Sequence, residues 1–419
     1  MKYRDLHPNI KFRIINSFLS TTAFNMIFPF MAIYFSSEFN EAIAGVLLTI
    51  NIIVGIMAGF YGGYLTDIIG RRKIMLYSGG VRLCGFIVMT LANSPWYHSS
   101  VMTYIAFIVI SICSGFSAPA TQAMVIDVST PDSRRFIYNI EYWAMNTALF
   151  IGAIIGGYLF KPYRFEVFLS VTIVSALSVM IISLFIKETK YIQRENSKPP
   201  KFKVRYLLSN YKLVLMDRTF SKFIVASLLA FSVEMQAKNY VSVRLVKDIQ
   251  SQITVFNKYT FDGLQIYGLL RAENALIVII LGLFISSIVK KYGDRRLLII
   301  GILINIIGYS VITVSNNLLV LFTAMLLATL GEVIYWPIKQ AFLAKLVPSD
   351  NRGSYMTVNG LVGQGANILG TLAITMGAFM NSWTMSVIFS TLGIISIILF
   401  NRTISCIQKD NVIRDINIS

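Results

Sequence analysis

Gly63-Tyr64-Leu65-Thr66-Asp67-Ile68-Ile69-Gly70-Arg71-Arg72-Lys73 is a short charged turn between two long apolar runs. The run before it covers 41–66, and the run after it covers 73–93. Each can cross a bilayer, because a membrane helix needs about 20 apolar residues. The residues of the turn have readable physical roles. Gly63 lets two helices pack closely, and Gly70 permits a tight turn. Asp67, at a helix end, suits the positive N-terminus of a neighbouring helix. Arg71 and Arg72 suit an anionic lipid surface.

The same alternation continues outward in both directions. Before the midpoint, apolar runs fall at 13–35, 41–66, 73–93, 100–126, 135–160 and 165–187. After it they fall at 220–243, 265–289, 296–315, 317–347, 353–380 and 383–403. A stretch dense in Lys and Arg, 188–219, separates the two sets and contains Pro199-Pro200. The expected organisation is therefore a six-helix bundle over 1–187, a cytoplasmic basic linker over 188–219, a second bundle over 220–403 and a cytoplasmic tail over 404–419.

Composition agrees with this reading. Of 419 residues, 55% are hydrophobic and 14% are charged, and the mean hydropathy is +0.66. Soluble domains carry roughly 25% charged residues, so lipid must cover much of this chain. The net charge of +17 lies between the apolar runs, as membrane anchoring requires, and nucleic-acid binding is not expected. By the positive-inside rule, Lys11, Arg13, Arg71, Arg72, Arg134, Arg135, the linker, Lys290, Lys291 and Arg352 face the cytoplasm, as do both termini. The protein is expected in a bacterial plasma membrane and works as a monomer.

Three cysteines give no disulfide framework or metal spacing. Cys84 and Cys113 read as thiols packed inside apolar helices. The two histidines, His7 and His98, lie near helix ends. There is no G-x-x-x-x-G-K-[ST] loop for a nucleotide and no Ser/His/Asp set for hydrolysis. Neither a cofactor nor chemical catalysis is expected. A proton gradient is the expected energy source.

The two halves echo each other. Gly70-Arg71-Arg72 is matched by Gly293-Asp294-Arg295-Arg296, and Thr130-Pro131-Asp132-Ser133-Arg134 by Val347-Pro348-Ser349-Asp350-Asn351-Arg352. The offsets are nearly equal, which points to an internal duplication of the kind transporters use.

Ionisable groups inside membrane helices are costly and functional by default. Glu234 and Glu332 fall near the midplane, roughly 20 Å from a helix end, and Glu141 and Glu273 roughly 10 Å in. Burial disfavours the charged form of a carboxyl, which suits such a group to load a proton on one side and release it on the other. Ionised, it can bind a cation. Trp143, Tyr335 and Trp336 lie close in sequence to Glu141 and Glu332 and can stack on an organic cation, or simply pack helices. Lys238 follows Glu234 by four residues, so the two can form an intrahelical ion pair. Alternatively, Lys238 or Arg271 pairs with Glu332 or Glu273. Arg82 can snorkel to the inner surface.

The pattern G-x-L-x-D-x-x-G-R-R/K, between the second and third of twelve spans, resembles the signature loop of the major facilitator superfamily. That resemblance implies an all-α integral membrane protein with twelve transmembrane helices in two pseudo-symmetric six-helix bundles. It also implies that Gly63, Asp67, Gly70, Arg71 and Arg72 act as a gating latch. Val125-Ile126-Asp127-Val128-Ser129, Glu141-Tyr142-Trp143 and Leu330-Gly331-Glu332-Val333-Ile334-Tyr335-Trp336-Pro337 resemble the proton-driven multidrug transporters of that superfamily. The resemblance implies proton coupling at Glu141, Glu332, Asp127 and Asp67. It implies substrate contacts at Glu332, Glu141, Trp143, Tyr335, Trp336, Glu234 and Lys238.

Some positions depart from the family pattern. Gly152-Ala153-Ile154-Ile155-Gly156-Gly157 lacks the proline of the antiporter motif, and Ser111 stands near where many members carry an arginine. Lys290 stands at the place matching Asp67, and Lys238 where the multidrug relatives have an aspartate. The expected function is proton-coupled efflux of amphipathic or lipophilic compounds, such as drugs, by alternating access. The alternatives are a proton-coupled uptake symporter for a sugar, amino acid or peptide, and a non-transporting membrane sensor or scaffold.

Overall fold

The computed structural model describes residues 6–189, 214–249, 253–255, 259–282, 294–348 and 352–418. The linker residues 190–213, together with Lys290, Lys291, Gly293, Asp350 and Asn351, lie outside the described residues. So do the side chains of Arg134, Arg135, Arg352 and Cys406.

Local sequence signals start the helices where side chains can accept otherwise unpaired backbone N–H groups. Ser99 caps α5 (Ser100–Asp127), accepting from the Met102 N–H at 3.3 Å. Thr130 and Ser133 form a reciprocal capping box at α6 (Pro131–Leu159), with Pro131 in the first turn. Asp217 accepts from the Thr219 and Phe220 N–H groups, each at 3.0 Å, at α8 (Arg218–Gln236). Asn317 caps α12 (Leu318–Leu346) through the Val320 N–H at 3.2 Å.

The remaining helices follow the apolar runs. The first run becomes α1 (Pro8–Ile27) and α2 (Met31–Glu38), joined by a 3₁₀ turn at Phe28–Phe30 that holds Pro29. Then come α3 (Glu41–Ile69), α4 (Arg71–Leu91) and α7 (Arg164–Phe185). After α8, a π turn at Ala237–Val241 leads into α9 (Ser242–Asp248). The chain continues through α10 (Gly263–Gly282), α11 (Asp294–Val314), α13 (Arg352–Gly377) and α14 (Ser382–Ile418). The last helix thus runs on through the segment expected as a tail. Two antiparallel pairs, Asn93–Ser94 with Tyr97–His98 and Ile253–Val255 with Tyr259–Phe261, fasten connections between helices.

Among the described residues, eleven helical segments are long and apolar enough to cross a membrane. Helix α13 is a further long helix of 26 residues. The chain is a multi-pass membrane protein. Its many outward apolar side chains, such as Leu184, Leu319 and Val387, are what a lipid environment covers.

The fold divides into two compact units. Unit 1 holds residues 1–40, 47–202 and 264–275, and unit 2 holds 41–46, 203–263 and 276–419. In unit 1, Ile74, Met75, Ala120, Met124, Ile182 and Ile186 form one buried cluster, and Leu6, Ile10, Ile14, Val125 and Ile137 form another. Gly157 on α6 meets Gly268 on α10 so closely that a Cβ at Gly268 would stand 2.7 Å from the Gly157 Cα. Only glycine at both positions allows that approach.

In unit 2, Arg244 is buried and ties the end of α9 to the turn before α12. Its guanidinium donates to Asp248 at 3.0 Å, to Asn316 at 2.6 Å, and to the carbonyls of Ile312 and Ser315 at 3.1 and 2.7 Å.

Candidate functional site

The charged turn after α3 is held by a carboxylate of the protein itself. Gly70 has φ = +109°, a conformation that disfavours any side chain. The chain then enters α4, and the Glu188 carboxylate accepts the first two backbone N–H groups. These are Arg71 N–H at 3.0 Å and Arg72 N–H at 3.1 Å. A carboxylate at this helix start is favoured both by the unpaired donors and by the helix dipole. Asp67 was expected to supply such a charge. Instead it is largely exposed and stands 3.4 Å from the Arg71 guanidinium.

Arg71 turns inward. Its side chain is 16% exposed and pairs with Asp127 at 3.1 Å. Thr189 donates to the same Asp127 oxygen at 2.9 Å. Arg72 donates to the Ser183 carbonyl at 2.6 Å. Both arginines are therefore committed to protein acceptors rather than to a lipid surface. The close helix approach also shifts by one residue. A Cβ at Gly63 would stand 3.9 Å from Pro119, an ordinary contact, whereas one at Gly62 would meet the Phe116 Cα at 2.6 Å.

Deeper in unit 1, Glu141 on α6 pairs with Arg13 on α1, and both are largely buried. Arg13 was expected as a surface anchor; it is instead the counter-ion of a membrane carboxylate. Trp143 is half-buried on the same helix. Glu273, on the part of α10 that belongs to unit 1, has no counter-ion among the described residues. Its Oε2 is buried without a hydrogen-bond partner among the described residues.

Unit 2 contains the second group. Glu234 is 5% exposed, and Lys238 Nζ lies 2.6 Å from its Oε1. The pair is intrahelical, as the four-residue spacing allows, while Glu234 Oε2 is buried and unpartnered among the described residues. Glu332 is half-buried on α12, and Tyr335 is fully buried one turn later. The face of Trp336, expected to receive an organic cation, already carries one. Lys339 Nζ sits 3.7 Å from its ring centre, and the Phe231 ring is 5.7 Å away.

Lys339 is buried, at 4% exposure, and was missing from the candidates read in the sequence. Glu188 and the pairing role of Arg13 were missing too. Cys113 is buried as expected, whereas Cys84 is exposed. A separate cavity of 250 Å³ in unit 2 is lined by Glu41, Tyr240, Arg244, Lys247 and Asp248, with Lys247 Nζ 2.7 Å from Glu41 Oε1.

Many apolar helices carrying buried, paired carboxylates and cations define a polytopic membrane transporter. The family model of the Major Facilitator Superfamily matches residues 14–270 and 250–404, and the chain belongs to that family. It is 29% identical over 401 residues to a Na(+), Li(+), K(+)/H(+) antiporter of Planococcus maritimus, covering 93% of this chain and 94% of that one. It is 22% identical over 347 residues to the multidrug resistance protein MdtH of Klebsiella pneumoniae, covering 82% of this chain and 80% of the relative. Among solved structures, it matches a POT family transporter in complex with 5-aminolevulinic acid. The TM-score is 0.76 at 16% identity, over 96% of this chain and 97% of the other.

Proposed function

We propose that this chain is a proton-coupled antiporter that exports amphipathic or lipophilic compounds, drugs among them, by alternating access. The observation that carries the reading is Glu273. It is a carboxylate on a membrane helix with a buried oxygen and no partner among the described residues. Glu141 is balanced by Arg13, and Glu234 by Lys238. An unbalanced carboxylate in such a place is costly to keep charged, which suits it to carry a proton. It takes up a proton when water reaches it from one side and gives it up when exposed to the other. Glu332 serves as the second titrating carboxylate and as a contact for a cationic substrate, beside Tyr335 and Trp336.

In this reading Asp67, Asp127 and the Gly70 turn form the gate, and Arg71 reports its state by holding or releasing Asp127. Gly63 packs behind that turn. Both termini and the linker face the cytoplasm of a bacterial cell in this reading, which the positive-inside rule supports. The protein works as a monomer, exchanging a small molecule for protons.

A second reading has its own support. The antiporter of Planococcus maritimus, similar along nearly the whole chain, is described as exchanging Na(+), Li(+) and K(+) for H(+). Alkali cations for protons would use the same carboxylates.

One experiment addresses both. Proteoliposomes with an imposed pH gradient are offered a fluorescent lipophilic cation, and in parallel Na⁺, Li⁺ or K⁺. Gradient-driven dye movement that is lost in Glu332→Gln supports drug antiport. Gradient-driven metal-ion movement without dye movement supports the second reading. Neither movement by folded protein defeats proton-coupled cation antiport.

A further inference from the structure

Arg82 lies eleven residues into α4, roughly 16 Å along the helix. That depth is near the middle of an apolar helix long enough to cross a membrane. Arg82 lines a partly open cavity of 40 Å³ in the interior of unit 1, together with Ser20, Phe86, Ile110, Ser114 and Ser175. The walls come from α1, α4, α5 and α7.

Two features of this cavity lack partners. The first is the guanidinium. No hydrogen bond or ion pair to Arg82 is present among the described residues, and the titratable side chain it interacts with is the buried thiol of Cys113. The second is Ser175. It is 5% exposed, and its Oγ has no hydrogen-bond partner among the described residues. Ser114 already donates to the Ile110 carbonyl at 2.8 Å, so Ser175 retains a free hydroxyl donor.

An arginine stays charged in proteins, and this half-buried guanidinium gains from a counter-charge. No carboxylate among the described residues supplies that counter-charge. The cavity supplies what a dissolved anion needs: a cation, a hydroxyl donor and apolar walls that strengthen their attraction. Its volume exceeds the roughly 10–15 Å³ that one water requires. We propose that Arg82 and Ser175 form a binding site for a small inorganic anion of the size of chloride. The site lies within unit 1 and is distinct from the carboxylates assigned to proton coupling.

The test is thermal unfolding of the purified full chain in sodium chloride and in sodium gluconate at equal ionic strength. Chloride is expected to raise the melting temperature by a few degrees with a saturating dependence, as binding to the folded state alone requires. Bromide should act similarly, whereas bulky gluconate should not. Arg82→Leu, which removes an unpaired charge, should abolish the difference between the salts. Ser175→Ala should raise the half-saturating chloride concentration several-fold, and Cys113→Ser should leave it unchanged.

Equal melting temperatures of the wild type in the two salts would overturn the proposal without any variant. So would an undiminished chloride response in Arg82→Leu. A response abolished by Cys113→Ser and untouched by Ser175→Ala would also overturn it, because the hydroxyl would then play no part.

Discussion

Arg13 on α1 and Glu141 on α6, 128 positions apart, form a largely buried ion pair within unit 1. Removing one partner leaves the other charge buried and uncompensated. Glu141→Gln is therefore expected to destabilise the protein by about 3 kcal/mol, seen as a lowered melting temperature in detergent. Combining it with Arg13→Gln should recover much of that loss. A double mutant no more stable than Glu141→Gln alone would show that the pair is not what Glu141 stabilises.

Glu188 holds the start of α4 through two backbone N–H groups, and Gly70 sits against its carboxylate. A Cβ on Gly70 would meet Glu188 Oε2 at 2.6 Å. Gly70→Ala combines this clash with a positive φ and is expected to cost about 1–3 kcal/mol. Glu188→Gln keeps the shape but loses the charge, costing about 1 kcal/mol of capping. Both should slow transport in proteoliposomes, with Gly70→Ala the more severe. Normal transport by Gly70→Ala would separate this turn from gating.

Lys339 occupies the face of Trp336 that a cationic aromatic substrate would use. Lys339→Gln should free that face and remove a competing positive charge. Fluorescence titration with a lipophilic cation should show tighter binding, by about 5-fold, in keeping with roughly 1 kcal/mol for a cation–π contact. Unchanged or weaker binding would place the cation elsewhere.

Gly157 and Gly268 leave no room for a side chain. Gly268→Leu should abolish transport and lower expression of folded protein, because the clash is with backbone. Gly80, whose Cβ would meet nothing within 4 Å, should accept leucine with little effect. Equal tolerance at the two positions, scored by size-exclusion profile and transport, would contradict the packing described.

The membrane helices were legible in the sequence because lipid demands long apolar runs, and the ends of α5, α6 and α8 follow capping residues visible there. The Glu234–Lys238 pair was legible because its spacing is local. The Arg13–Glu141 pair was not, since it depends on which helices become neighbours. Arg13 reads in isolation as one more positive charge near a helix start. Glu188 was hidden by its place at the head of a charged linker, and Lys339 has no acidic residue one turn away to mark it. The break at Phe28–Phe30 had a local sign in Pro29, whereas the π turn at Ala237–Val241 had none.

Proton coupling through an unbalanced membrane carboxylate is tested most directly at Glu273. Wild type and Glu273→Gln are reconstituted and compared in two modes: pH-gradient-driven accumulation of a transported cation, and downhill exchange of the same cation without a gradient. Coupling through Glu273 predicts that the variant loses gradient-driven accumulation and keeps downhill exchange. Gradient-driven accumulation by Glu273→Gln at the wild-type rate would contradict it.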